Sequence, residues 1–257
     1  MKRQAPIHHG PASTAVLVVG TTPDYVLRLN RDSARALLFL TDLRFQGHPL
    51  LRDVPPSRLI FAHLDRPDES SLSALLNTMN LTGVACFDCE SLLLAGRLAR
   101  RLELPFPPWQ AIVRSRNKFE ARRTWTATGI SSPYASLSSN MEETLGFFRH
   151  HGENIVLKPL SGSGSELLFH CTKEDEVRAA VETMEEELPK RRANPLFYPF
   201  PDPAQGHEID PCRSWISEEF VSGEEFSCDF VYQGEEVVLI RETGKVKATD
   251  KPFGSVL

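Results

Sequence analysis

The sequence contains no apolar run close to the ~20 residues that a bilayer-spanning helix requires. Its opening, Met1-Lys2-Arg3-Gln4-Ala5-Pro6, is basic, but no apolar stretch follows it, so no signal peptide is expected. An excess of basic residues is also missing: 29 Lys and Arg stand against 34 Asp and Glu, a formal charge of −5. That balance argues against broad binding to nucleic acid or to an anionic membrane, which would need phosphates neutralised, and leaves room only for a local basic pocket. Cysteine is scarce and odd in number, with five residues scattered along the chain. No disulfide framework follows, and a reducing, cytoplasmic setting is expected. Cys86-Phe87-Asp88-Cys89 has half of a zinc or redox spacing, but zinc would want a second such pair and none exists. Buried or half-buried structural thiols are the expectation. Two phosphate-binding fingerprints are absent. Gly20-Thr21-Thr22-Pro23 lacks the Gly-x-Gly-x-x-Gly spacing, and no Gly-Lys-Ser or Gly-Lys-Thr closes a P-loop. Ser-His-Asp catalysis has no support: His8 and His9 fall in a terminal stretch, and His150 and His151 at a helix end.

What is present reads as alternating strands and helices. Residues 1–13 resemble a flexible tail. Ala15-Val16-Leu17-Val18-Val19-Gly20 is continuous, β-branched and stopped by glycine, as a buried parallel strand should be. A short helix is expected over 24–30, and strands over 36–41, 59–62 and 83–87. Leu72, Leu75, Leu76 and Met79 recur at helical spacing, and so do Leu94, Leu98 and Leu102 in a helix over 91–102. These elements predict an open α/β sheet for residues 14–104. Pro105, Pro107 and Pro108 mark a boundary. Asn117 caps a helix over 118–128 that ends at Gly129. Asn140 with Glu143 caps a helix over 141–150, and Thr172 with Asp175 caps another carrying Val177, Val181, Met184 and Leu188. Six prolines between 189 and 214 break the pattern, and a loop of that length suits an insertion, a lid or a docking segment. From 215 to 240 the chain reads as β-rich, with strands over 215–221, 225–232 and 237–240 and a turn at Gln233-Gly234.

Three features carry chemistry. Ile155-Val156-Leu157-Lys158-Pro159-Leu160 runs as a strand into Ser161-Gly162-Ser163-Gly164-Ser165, and a returning strand is expected over 167–170. Glycines let the backbone approach an anion, consecutive N–H groups form a concave anion site, and Lys158 adds charge. A flexible turn would look the same. In Glu218-Glu219-Phe220-Val221-Ser222-Gly223-Glu224-Glu225, backbone groups at Glu219 and Val221 suit a purine edge, and a carboxylate beyond the glycine suits ribose hydroxyls. An acidic hairpin in water has the same pattern. Lys118, at a helix start, opposes the macrodipole, an oddity that a bound anion would resolve.

Taken in order, Asn117-Lys118-Phe119-Glu120-Ala121-Arg122, Gly129-Ile130-Ser131-Ser132-Pro133, the Lys158 strand with its Ser-Gly loop, and Glu218-Glu219-Phe220-Val221 resemble the ATP-grasp superfamily of carboxylate–amine and carboxylate–thiol ligases. The resemblance implies an α/β protein: an N-terminal open parallel pre-ATP-grasp domain, an α+β lid, and the first strands of a catalytic sheet. It divides the chain into a tail (1–13), a first domain (14–106), a linking helix segment (107–129), a lid (130–221, with the 189–214 insertion) and an incomplete last part (222–257). It implies ATP as ligand. Lys118 and Lys158 would hold phosphates. Ser161, Gly162, Ser163, Gly164 and Ser165 would close over them. Glu218 would lie near the adenine amino group, the Glu219 and Val221 backbone would read the ring, Glu225 would take the ribose, and Lys245 would approach the terminal phosphates. The implied substrates are a small carboxylate and an amine, joined through an acyl phosphate.

The pattern stops short of the family's magnesium ligands. Mg2+ is expected for relatives, but no acidic pair follows Glu225 to bind it, since Glu235, Glu236 and Glu242 read as hairpin and edge charges. The sequence therefore predicts a chain ending partway through the catalytic sheet, with an apolar strand edge at 237–240 to be covered by a second copy or a partner. Two rival readings follow: a non-catalytic nucleotide-binding or regulatory module, and a partner-dependent assembly protein.

Overall fold

In the computed structural model, residues 14–152, 154–162, 164–201, 208–247 and 255–256 are described. The expected tail over 1–13, Ser163 and residues 202–207 of the insertion lie outside the described residues. The chain forms two compact units that divide after Arg116. Residues 194–196 group with the first unit.

The first unit is built from β1 (Ala15–Val19), α1 (Pro23–Asp32), β2 (Ala36–Asp42), β3 (Leu59–Ala62), α2 (Glu69–Leu76), β4 (Leu81–Cys86), α3 (Leu92–Arg101) and α4 (Trp109–Arg116). Its four strands are all parallel, in the order β3-β2-β1-β4. Both sheet faces are covered, which explains the unbroken apolar runs. Leu17, Val19, Leu38 and Leu40 meet Leu72, Leu76, Leu94 and Leu98 of α2 and α3. Val18, Leu37 and Phe39 meet Val26, Leu51 and Val54. Beyond β1, Gly20 (φ +80°) lies so close to the 88–91 segment that a Cβ would sit 2.1 Å from Ser91 Oγ. Asp88 closes this strand end, accepting hydrogen bonds from the backbone N–H of Thr21 and of Ser91, each at 2.6 Å.

The second unit contains α5 (Lys118–Ala127), β5 (Ala135–Ser138), α6 (Met141–His151), β6 (Ile155–Pro159), β7 (Phe169–Cys171), α7 (Glu174–Glu187), β8 (Phe200–Pro201), β9 (Glu208–Ile209), β10 (Trp215–Glu219), β11 (Glu225–Gln233), β12 (Glu236–Lys247) and β13 (Ser255–Val256). Four antiparallel strands pair in the order β5-β10-β6-β7. Register and alternation sort their side chains into two faces. Leu157, Trp215 and Ser217 share one face, where the Trp215 indole N–H donates to Thr144 Oγ1 of α6 at 3.1 Å. Val156, Lys158, Ile216 and Glu218 share the other.

Several local expectations shift by a residue or two. The helix capped by Asn140 runs to His151. Glu143 closes its box by accepting from the N–H of Ser139, while Asn140 Oδ1 accepts from Glu143 N–H. For α7 the partner of Thr172 is Glu176, not Asp175. Lys173 occupies the cap position, which makes Glu176 the third helical residue, the one able to reach back. The returning strand is Phe169–Cys171, with Leu167 in a left-handed turn (φ +50°). The linking segment 107–129 is two helices, α4 and α5, broken at Asn117. The strand expected over 215–221 ends at Glu219, and the insertion holds short 3-10 turns and the β8–β9 pair. The last hairpin turns at Gly234-Glu235 rather than at Gln233-Gly234, because Gln233 pairs with Glu236 and Gly234 supplies the positive φ of +62°.

β12 pairs with β11 along one edge, and on the other pairs with β13 at Val246 and Lys247. Val237, Val238, Leu239 and Ile240 are all exposed. Ile240 is an extra residue in the ladder, a bulge between Asp229 and Phe230 on the opposing strand.

All five cysteines are free thiols. Burial pushes Cys86 up to about 12 and Cys171 up to about 11, and it raises Cys212 as well. At pH 8 the thiolate fractions of Cys86 and Cys171 are then about one in 10⁴ and one in 10³. Brief iodoacetamide treatment of the folded chain should therefore label the exposed Cys89 and Cys228 and spare Cys86, Cys171 and Cys212. Peptide mass spectrometry reads the result; early labelling of Cys171 would contradict this burial.

Candidate functional site

The second unit gathers two cations, Arg122 and Lys158, against one carboxylate, with Lys118 at the start of the same helix as Arg122. Asn117 starts the arrangement. Its side chain accepts from the N–H groups of Phe119 and Glu120, at 3.0 and 3.3 Å, fixing the first turn of α5. The backbone N–H of Lys118 donates to Leu160 O at 3.0 Å, which ties the helix start to the end of β6. The Lys118 ammonium then reaches Gly162 O at 3.4 Å. One helical turn on, Arg122 lies on the same helix face and donates through Nε to Glu218 Oε1 at 2.9 Å. Lys158 Nζ sits 2.5 Å from Glu218 Oε2. That pair follows from register: Lys158 lies opposite Ile216, so Glu218, two residues along β10, is its diagonal neighbour on the same face. The Glu218 side chain is 5% exposed, and those of Lys158 and Arg122 are 17% and 20% exposed.

The loop after β6 turns through several left-handed residues: Gly162 (φ +108°), Gly164 (+73°), Ser165 (+58°) and Leu167 (+50°). Two of these are not glycine, and for a residue as bulky as leucine this conformation is strained. At Gly162 a side chain would also press on Phe197, 3.3 Å from a built Cβ. Two buried donors stand at this corner, Ser161 Oγ and Asn117 Nδ2, and neither has a hydrogen-bond partner among the described residues. Unsatisfied buried donors beside the Lys118 ammonium suit an anion with many acceptor oxygens.

The structure thus brings together Lys118, Lys158, Ser161, Gly162 and Glu218 of the residues expected from sequence. Gly164 and Ser165 follow in the same loop, and Ser163 lies outside the described residues. At the end of β10 the Glu219 N–H is taken by Tyr134 O and its carboxylate accepts from Tyr134 N–H, while Phe220 N–H goes to Asn154 O. Val221 follows with an exposed side chain. Glu225 and Lys245 are placed with each other: they face across the β11–β12 ladder, paired at 2.6 Å, and line an open groove with Gly223, Phe226 and Gly244. Arg122 was assigned no role from sequence. Its signal was available, four residues from Lys118 and so on one helix face.

Among the described residues no group of three His, Cys, Asp or Glu side chains could hold a metal ion.

A sequence model of the ATP-grasp domain family matches residues 151–254. That stretch of the chain is similar to ATP-grasp domains. No curated protein matches it in sequence. Solved structures share the fold at low identity. An L-amino acid ligase from Bacillus licheniformis superposes with a TM-score of 0.64 at 15% identity, covering 96% of this chain and 54% of that one. A carboxyaminoimidazole ribonucleotide synthase from Aspergillus clavatus, complexed with ATP, gives 0.62 at 16%, covering 92% and 55%. The N5-carboxyaminoimidazole ribonucleotide synthetase of Thermus thermophilus gives 0.59 at 16%, covering 91% and 55%. The chain therefore spans about half the length of these structures. The open parallel sheet followed by antiparallel sheets is the architecture expected from sequence. No described helix is long and apolar enough to cross a membrane.

Proposed function

We propose that the second unit binds ATP, with its polyphosphate on Lys118, Lys158 and the 161–165 backbone and its adenine beside Glu218 and Val221. The observation that carries this reading is the corner where Lys118 meets Gly162 and where the buried Ser161 hydroxyl and Asn117 amide lack partners among the described residues. Polyphosphate oxygens would satisfy those donors, and left-handed glycines let the backbone close on them. With the Glu219 and Phe220 N–H groups engaged, the Val221 N–H is the donor offered to a purine edge. Glu225 and Lys245 flank the next groove, as ribose and terminal-phosphate contacts would require.

The reaction such a nucleotide site would serve is carboxylate–amine ligation. In it a substrate carboxylate attacks the γ-phosphorus, ADP leaves, and an amine displaces phosphate from the acyl phosphate. The part of this chain is to bind and orient the nucleotide and to exclude water as the loop closes. A second reading, a nucleotide-binding or regulatory module without turnover, is favoured by one observation, the lack of a metal-ligand group among the described residues. Thermal unfolding separates binding from its absence. Millimolar ATP should raise the midpoint by several degrees, as ligand linkage requires at concentrations ~100 times Kd. No shift with ATP, with or without magnesium, would contradict the nucleotide site. ADP release on adding amino acids or other carboxylates with an amine would decide for the ligase over the module.

A further inference from the structure

The site holds more positive charge than its carboxylate needs. Glu218 is almost fully buried, and a buried carboxylate must be paired. One cation would do that, but two are present, Lys158 on one oxygen and Arg122 on the other. The surplus matters when an anion arrives. A polyphosphate drawing on Lys158 competes with Glu218 for the same ammonium. With Lys158 as sole partner, its departure would strand a buried anion, and nucleotide binding would carry that cost. Arg122 prevents this, because its contact is to the other carboxylate oxygen and does not depend on where Lys158 points. Arg122 is itself held in place, since its guanidinium lies over the Trp125 ring at 4.6 Å and its helix start is capped by Asn117.

We propose that Arg122 is a positioning residue that keeps Glu218 charge-paired while Lys158 transfers its ammonium to a bound polyphosphate. The inference rests on the nucleotide-binding reading above and adds the group that makes the lysine movable. Its contact to Glu218 is a single Nε–H, so lysine can replace it better than at a two-pronged arginine site.

The test is a titration of ATP into the parent chain and into Arg122→Gln, Arg122→Lys, Glu218→Gln and the Arg122→Gln/Glu218→Gln pair, each checked for folding by thermal unfolding. ATP binding by the parent is read first, and its absence defeats the nucleotide reading itself. Given binding, Arg122→Gln should weaken it about tenfold. Arg122→Lys should restore most of that loss. In the Glu218→Gln background, where no buried charge remains to be paired, Arg122→Gln should cause little further loss. A merely structural arginine would give the same loss in both backgrounds and no rescue by lysine. Either result, or parent-like affinity in Arg122→Gln, overturns the proposal. Should Arg122→Gln fail to fold, Arg122→Lys decides alone: affinity near the parent supports it, and a loss as large as that of Lys158→Ala contradicts it.

Discussion

Replacing Lys158 with alanine is expected to weaken ATP binding by about 30- to 100-fold, roughly 2–3 kcal/mol at 1.4 kcal/mol per tenfold. The lysine is the cation best placed to serve both a buried carboxylate and an arriving phosphate. It sits on the strand that becomes the loop, 2.5 Å from Glu218 and four residues before the Gly162 carbonyl that takes Lys118. Its removal is not expected to unfold the chain, because Arg122 still pairs with Glu218. The stability cost should be about 1–3 kcal/mol, the range for losing a hydrogen bond to a charged group. Calorimetric titration and denaturant unfolding, run on the same sample, separate the two effects. Unchanged affinity with lowered stability would make Lys158 a structural counter-ion and remove it from the nucleotide site.

Trp215→Ala should have the largest effect on folding, about 3–5 kcal/mol by urea unfolding. The indole is 1% exposed, in the sheet face opposite Lys158 and Glu218, and its N–H satisfies the buried Thr144 hydroxyl. Alanine leaves both a cavity and a hydroxyl without its donor. Trp215→Phe keeps most of the ring volume and should cost about 1–2 kcal/mol, the share of the hydrogen bond. Because Trp215 and Glu218 lie on one short strand, the alanine variant should also loosen the ion pairs on the other face. A cost below about 1 kcal/mol for alanine would mean that β10 is not anchored through α6.

Where a fold feature depends on neighbours in sequence, it could be read. The parallel strands announced themselves as apolar runs because both faces of their sheet are covered. Asn140 and Asn117 announced helix starts because a short side chain three residues before a carboxylate, or before a helix, has one good use. Errors arose where two choices differ by one residue. Asp175 and Glu176 are both acidic, and only the observed cap at Lys173 makes Glu176 the one that reaches Thr172. Gln233-Gly234 and Gly234-Glu235 are both turn-like, and the pairing of Gln233 with Glu236 selects the second. The start of α5 was read from Asn117, but α4, the helix just before it, was not expected.

The site was legible as a set of residue types but not as a circuit. Lys118, Lys158 and Glu218 could be named from their order along the chain. That Lys158 and Glu218 form an ion pair depends on the β6–β10 register, a long-range fact. That Arg122 joins them depends on how α5 lies on the sheet. Glu225 and Lys245 illustrate the converse: both were singled out as ligand contacts, and their pairing across the hairpin became visible only with its register.

The most direct test of the account is a crystal structure of the chain grown with ATP. The account predicts triphosphate density against the Lys118 ammonium and the Gly162 backbone, with Lys158 turned toward the phosphates and Arg122 still on Glu218. Nucleotide bound elsewhere, or no nucleotide with the Lys158–Glu218 pair unchanged, would contradict it.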